Sequence, residues 1–223
     1  MSRYLLVAVL LCTACDSGDP TGSPQTGIRE VQYGDGQLWS QGELVRGRPH
    51  GTWKTWYADG TQKSEDTYSA GVLDGVSLAT YANASPRFQG AYSMGQPDGP
   101  WTRWYPNGEK LSEGSYADGV RVGPWMNWYP SATLQIEGDY TGIGGDGHFT
   151  TYYESGAPES LGAIQDGVRT GPWKEWWPNG NLEKEVTFLD GQLNGTCTFW
   201  SESKNKDTSR SGIYAGGKRV RTE

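Results

Sequence analysis

A glycine returns every 24 residues through most of this chain of 223 residues. The recurring residues are Gly51, Gly75, Gly99, Gly123, Gly147, Gly171 and Gly195, and no insertion separates them. A fixed period of this length is typical of repeat proteins, in which each unit is one supersecondary element that packs on its neighbours. Gly27 lies in phase upstream, and Gly212 fits the position fifteen residues after the repeat glycine if two residues are inserted in the last repeat. We therefore predict about eight repeats in one domain, residues 27–223.

Aromatic residues recur at fixed places when the glycine is counted as position zero. Position two holds Trp53, Trp101, Trp125 and Trp173. Position five holds Trp56, Trp104, Trp128, Trp176 and Trp200. These aromatic runs are short and end at Asn-Gly or Asp-Gly pairs, which favours hairpins, and nothing after residue 15 resembles a helical core. The expected fold is all-β, an elongated and twisted antiparallel meander of about eight 24-residue hairpins and about sixteen strands.

Two turn geometries fit the sequence Pro106-Asn107-Gly108. One is a type I turn followed by a left-handed glycine, and the other is a two-residue Asn-Gly turn that shifts the register by one. The proline at position one, as in Pro124, is expected at the start of a strand, where its missing N–H costs least.

Alternation along the first strand of each repeat separates the aromatic residues between two faces. Positions two and six fall on one face and position five falls on the other. We expect the rings at positions two and six to be buried against neighbouring hairpins, with small residues at position fifteen, such as Gly114, leaving room for them. Position five is the candidate binding face, because one face of an extended meander tends to remain in contact with water.

The recurring pattern resembles a known family. Tyr116 and Gly119 lead into Gly123-Pro124-Trp125 and then Trp128-Tyr129-Pro130, which is similar to the MORN repeat variant of YwqK-type proteins. The resemblance covers about residues 27–217 and implies successive hairpins in one sheet. It also implies an antitoxin-like role. Repeats 75–98 and 147–170 depart most from the pattern, so they are either weak points or the place of a specific site.

The N-terminus predicts export and lipid attachment. Residues 1–14, MSRYLLVAVLLCTA, combine one arginine with an apolar run too short to span a bilayer, which is typical of a secretory signal peptide. Thr13 and Ala14 precede Cys15, and this arrangement resembles the lipobox of bacterial lipoproteins, with Cys12 where leucine is usual. Cys15 is then the lipid-attachment residue, and residues 15–26 form the lipidated start and a flexible tether. A plain signal peptide cleaved nearby is the alternative.

Charge and chemistry exclude several classes. The net charge is −7, with 19 basic and 26 acidic residues, which disfavours nucleic acid and anionic lipid headgroups as ligands. The two histidines, His50 and His148, and the recurring carboxylates form no pattern typical of a catalytic, zinc or calcium site. We therefore expect no enzyme activity, no metal and no cofactor. Cys197 replaces a position-two ring, so burial is expected.

The sequence predicts a non-catalytic lipoprotein of the bacterial cell envelope, periplasmic or surface-facing, that is anchored through Cys15. Its repeat surface is expected to bind a protein or a glycan, since tryptophan and tyrosine are favoured at interfaces. The alternative is a toxin-neutralising protein of the antitoxin or immunity type.

Overall fold

A computed structural model describes residues 25–141 and 145–221, and these residues form strands and turns without a helix. The predicted signal peptide, Cys15 and most of the tether lie outside the described residues. The strands are β1 (Gly27–Gln32), β2 (Leu38–Val45), β3 (Arg48–Trp56), β4 (Gln62–Ser69), β5 (Val72–Thr80), β6 (Pro86–Ser93), β7 (Gln96–Pro97), β8 (Gly99–Trp104), β9 (Lys110–Ala117), β10 (Val120–Trp128), β11 (Leu134–Tyr140), β12 (Gly147–Tyr152), β13 (Pro158–Gln165), β14 (Val168–Trp176), β15 (Leu182–Leu189), β16 (Gln192–Leu193), β17 (Gly195–Phe199), β18 (Gly212–Ala215) and β19 (Lys218–Arg221).

The strands follow one another as an open antiparallel meander. Successive long strands pair along the chain, from β1 with β2 to β18 with β19. The strand count is nineteen, not about sixteen, partly because two strands are interrupted near the repeat glycine: β6 pairs with both β7 and β8, and β15 pairs with both β16 and β17. The predicted all-β architecture of hairpin repeats is confirmed.

The turn after position five has the first of the two geometries predicted. The Gly108 amide donates to the Tyr105 carbonyl at 2.9 Å, and the Tyr105 amide donates to the Glu109 carbonyl at 2.8 Å. Gly108 has φ 90°. This is a type I turn with Pro106 and Asn107 at its centre, followed by a left-handed residue. The opposite turns differ: Asp118 and Gly119, with φ 48° and 81°, connect β9 and β10 as a two-residue type I′ turn.

A bulge lies at the repeat glycine. In β10, Val122 pairs with Ser115 and Met126 pairs with Glu113, so residues 123–125 all lie opposite Gly114. Pro124 is therefore inside a strand, and the expectation that it begins one is wrong for this repeat. The bulge removes Pro124 from the ladder with β9, so its missing N–H leaves no gap there.

The ring at position two packs on the backbone of the preceding hairpin. A Cβ atom on Gly114 would overlap the indole of Trp125, so the ring can lie there only because the glycine has no side chain. The Trp125 Nε1 donates to the Ser115 carbonyl at 3.0 Å. The same ring–glycine contact joins Gly42 to Trp53, Gly90 to Trp101, Gly138 to Phe149 and Gly162 to Trp173.

Aromatic rings and arginines complete this core, and residues 25–141 and 145–221 add no second layer of secondary structure to it. Trp125 is only 4% exposed. Tyr116 and Tyr140 pack edge-on to it, with ring centroids at 4.9 and 6.3 Å, and the Arg121 guanidinium stacks at 4.4 Å. Arg169 covers Trp173 in the same way at 4.3 Å. We name the side of the sheet that carries Trp53, Trp101, Trp125, Phe149 and Trp173 the packed face.

Gly114→Ala is expected to destabilise the fold by about 1–3 kcal/mol, because the added methyl group forces the Trp125 ring away from the backbone. Gly34→Ala is the matched control, since a Cβ there meets nothing within 4 Å. Chemical denaturation of both variants measures the difference. Equal free energies of unfolding for the two variants would show that the ring does not depend on the glycine.

Candidate functional site

The tryptophans at position five lie on the side of the sheet opposite the packed face. Trp128 stands beside Lys110, whose Nζ is 5.7 Å from the ring centroid, and Lys110 forms a 2.6 Å ion pair with Glu113 at position fourteen. Tyr152, also at position five, donates its hydroxyl to Glu137 at 2.5 Å, and this hydrogen bond raises the pKa of Tyr152. We name this side, with Trp56, Trp104, Trp128 and Trp176, the open face.

The side chains on the open face are half-buried. They are not enclosed, and each predicted tryptophan (Trp56, Trp104, Trp128, Trp176 and Trp200) has an intermediate exposure. Cross-strand ion pairs flank them, Lys54 with Glu65 at 3.4 Å and Lys174 with Glu185 at 3.1 Å. Because these ion pairs are exposed to solvent, they contribute little to stability, and their main effect is to make this surface polar and hydrated.

A ladder of side-chain hydrogen bonds fixes the backbone beneath these tryptophans. The hydroxyl of Tyr105, at position six, donates to the carbonyl of Trp128, at position five of the next repeat, at 2.8 Å. The same bond links Tyr33 to Trp56, Tyr57 to Thr80, Tyr81 to Trp104, Tyr129 to Tyr152 and Tyr153 to Trp176, and Trp177 Nε1 replaces the hydroxyl toward Trp200. Position five is therefore held at a constant register from repeat to repeat.

Repeat 75–98 departs from the pattern by a paired substitution. Ser77 replaces the ring at position two and is almost fully buried, and Asp66 replaces the glycine that the ring would cover. The Ser77 hydroxyl donates to the Asp66 carboxylate. A hydrogen bond therefore joins these neighbouring hairpins where other repeats have the ring–glycine contact. Near the C-terminus, Val186 and Cys197 make the corresponding exchange, and both lie in a buried cluster with Trp173 and Phe199.

A cleft of about 340 Å³ that the sequence did not predict opens between repeats 75–98 and 99–122. Arg87 and Arg103 line it together with Tyr81, Phe88 and Tyr92. The guanidinium carbons lie 5.5 Å from the Phe88 centroid and 5.9 Å from the Trp101 centroid, respectively. Burial and the charge of Asp66 raise the pKa of Tyr92, and nearby Arg103 acts in the opposite direction. A comparison of positions four and twelve between repeats would have revealed both arginines.

The described residues offer little reactive chemistry. Within residues 25–141 and 145–221, no group of three or more His, Cys, Asp or Glu side chains is placed to hold a metal ion. Cys197 is buried, as expected, and burial raises the pKa of its thiol. In the same ranges there is no helix with the length and apolar character to cross a bilayer.

Three segments match the family described as MORN repeat variant, residues 49–70, 97–118 and 169–190. Their first residues are separated by multiples of 24 residues, in phase with the repeat glycine. MORN repeats are generally involved in binding proteins or membranes. Three segments of the chain are therefore similar to the MORN repeat variant.

The other comparisons add little. No curated protein matches the chain. A solved structure described as "Crystal Structure of TcdB2-TccC3-TEV" is similar at 11% identity over 82% of this chain, with a TM-score of 0.18. The match spans only 12% of that larger chain.

Ser77→Trp is expected to destabilise the fold, because the new indole meets the Asp66 side chain where other repeats have glycine. Asp66→Gly alone is also destabilising, because it leaves the buried Ser77 hydroxyl without its acceptor. The double variant restores the glycine–ring pair and should be more stable than either single variant, with a coupling energy of at least about 1 kcal/mol. A double-mutant cycle in urea measures this energy, and additive effects would contradict the exchange.

Proposed function

We propose that this chain is a non-catalytic cell-envelope lipoprotein whose open face binds a protein or a glycan. The observation that carries the proposal is the row of half-buried tryptophans at position five, on a side of the sheet that no second layer covers in the described residues. Half-buried tryptophans bring large apolar area and an N–H donor to an interface, which is why they are frequent among residues that dominate binding energy.

The backbone beneath the open face favours binding over a purely structural role. The tyrosine ladder holds the position-five backbone in place before a ligand arrives, as in the 2.7 Å bond from Tyr153 to the Trp176 carbonyl. A preorganised surface loses less conformational entropy on association, so more of the contact energy appears as affinity.

The proposed cellular location rests on the N-terminal sequence. The apolar run before Cys15 supports export and lipid attachment, and two or more acyl chains give stable anchoring. The alternative, a toxin-neutralising protein of the antitoxin or immunity type, has the same non-catalytic binding role. Localisation separates the envelope lipoprotein from a cytosolic antitoxin, whereas an immunity protein would also act at the membrane.

Trp104→Ala and Trp128→Ala are expected to reduce retention of the envelope ligand by about tenfold or more while leaving the melting temperature nearly unchanged. Trp101→Ala and Trp125→Ala are the matched controls on the packed face, and they should lower the free energy of unfolding by about 3–5 kcal/mol. Immobilised variants are exposed to solubilised envelope proteins and to purified cell-wall glycan, and thermal melting is followed by circular dichroism. If both pairs unfold the protein equally, the assignment of a binding role to the open face is wrong.

Cys15→Ala is expected to release the protein from the membrane or to leave it unprocessed, because the acyl chains have no other attachment point in the predicted mature chain. Membrane fractionation, with protease accessibility in intact and permeabilised cells, measures this for wild type and variant. If wild type and variant were both found in the cytosol, the proposed envelope location would be wrong, and a cytosolic toxin would become the leading candidate partner.

A further inference from the structure

The cleft between repeats 75–98 and 99–122 holds two arginines whose positive charge the protein leaves unbalanced. Arg87 and Arg103 are exposed and lie on neighbouring strands, where Phe88 pairs directly with Arg103. Neither arginine is in an ion pair with a carboxylate of residues 25–141 or 145–221. In a chain of net charge −7 these two arginines form a local excess of positive charge.

These arginines are not covers for buried rings. Arg121 and Arg169 stack at 4.4 and 4.3 Å on Trp125 and Trp173 and thereby exclude water from them. Arg87 and Arg103 stand more than 1 Å farther from their rings, at 5.5 and 5.9 Å. Their guanidinium groups therefore remain accessible in the cleft.

Two glutamates elsewhere in the sheet occupy the same repeat positions as the two arginines and allow a comparison within the chain. Glu159 and Glu175 occupy the same two repeat positions, and Ser160 pairs with Glu175 as Phe88 pairs with Arg103. There the chain supplies its own counter-ions: Arg169 and Lys184 each contact Glu175 at 2.6 Å.

The corresponding positions beside the arginine cleft are neutral, Pro97 and Ser112. Glu175 of the acidic pair is balanced by two cations of the chain, whereas neither arginine of the basic pair has a carboxylate partner in the described residues. A missing counter-ion beside an open cleft points to an anionic ligand from outside the chain.

We infer that this cleft binds a carboxylate-bearing sugar of an acidic glycan, with Arg87 and Arg103 holding the carboxylate. Guanidinium groups match a carboxylate with two parallel N–H···O bonds, and two of them on adjacent strands can bracket one uronate. The half-buried rings of Tyr81, Phe88 and Tyr92 supply apolar walls beside the charge. The cleft volume of about 340 Å³ lies at the lower end of small-ligand sites, which suits one or two sugar units.

The position of the cleft favours a sugar over an acidic peptide. Extended peptides gain most of their affinity by adding a strand to a free sheet edge. The cleft instead lies on the face of the sheet, where β6 pairs with both β5 and β8. An extended peptide would find no free backbone groups there, whereas a sugar needs only side-chain contacts.

The test measures binding of oligogalacturonate to the full chain by calorimetry, beside a neutral galacto-oligosaccharide of equal length and poly-glutamate. The wild type is expected to prefer the uronate, and added salt should weaken the binding. Arg87→Gln with Arg103→Gln should reduce uronate affinity by about tenfold or more. The matched control, Arg29→Gln with Arg48→Gln, removes the same charge from exposed positions elsewhere and should retain wild-type affinity.

Equal affinity for the neutral oligosaccharide, tighter binding of poly-glutamate, equal loss in the control, or wild-type binding weaker than about 1 mM would each overturn the inference. Thermal melting of both double variants verifies that the fold is intact. Trp104 lines the cleft as well as the open face, so the two proposals are separated by Trp128→Ala, which should leave uronate binding unchanged. Failure of one proposal is therefore distinguishable from failure of the other.

Discussion

The contact between the position-two ring and the position-fifteen glycine is the constraint on which the rest of this sheet depends. A single-layer sheet has no opposing layer against which to bury apolar surface, so its core must form within its own face. Trp125 forms such a core by lying across the backbone of Gly114 and donating its indole N–H to the Ser115 carbonyl. The Arg121 guanidinium stacks on the other side of the ring. Each hairpin is thereby buried only by its neighbours, which makes the stability of the array a sum of nearest-neighbour interfaces.

That contact also explains why the period tolerates so little variation. Glycine and ring are eleven residues apart in the chain, as in Gly162 and Trp173, and the intervening turn and bulge leave no slack for an insertion between them. Where the ring changes, its partner changes as well: Asp66 accompanies Ser77, and Val186 accompanies Cys197. The departure at repeat 75–98 is thus an exchange of a ring–glycine contact for a hydrogen-bonded pair within the core, and the arginine cleft lies at the next junction.

The sequence predicted those features that depend on local chemistry. Pro106, Asn107 and Gly108 restrict the backbone strongly enough to specify hairpins, and the lack of a side chain at Gly114 indicated room for a ring. Pro124 was misplaced because a bulge changes which residues pair, and strand alternation assumes no bulge. The ladder from Tyr105 to the Trp128 carbonyl joins residues 23 apart, and only the relative register of successive hairpins brings them together.

Packing and recognition use different positions of the same repeat. Positions two, six, fifteen and seventeen are committed to the core and the ladder, so they vary little or vary in pairs. Positions four and twelve vary more between junctions, as in Lys63 with Ala79, Leu111 with Asn127 and Gln135 with Thr151, although Ala79 and Phe199 at position four are buried in the core. A bulge at position twelve turns its side chain toward the same cleft as position four, as Arg87 and Arg103 show. At the junctions where both positions are exposed, a scaffold of this kind can therefore present a different pair of side chains without repacking, and the charge of each pair decides what that junction attracts.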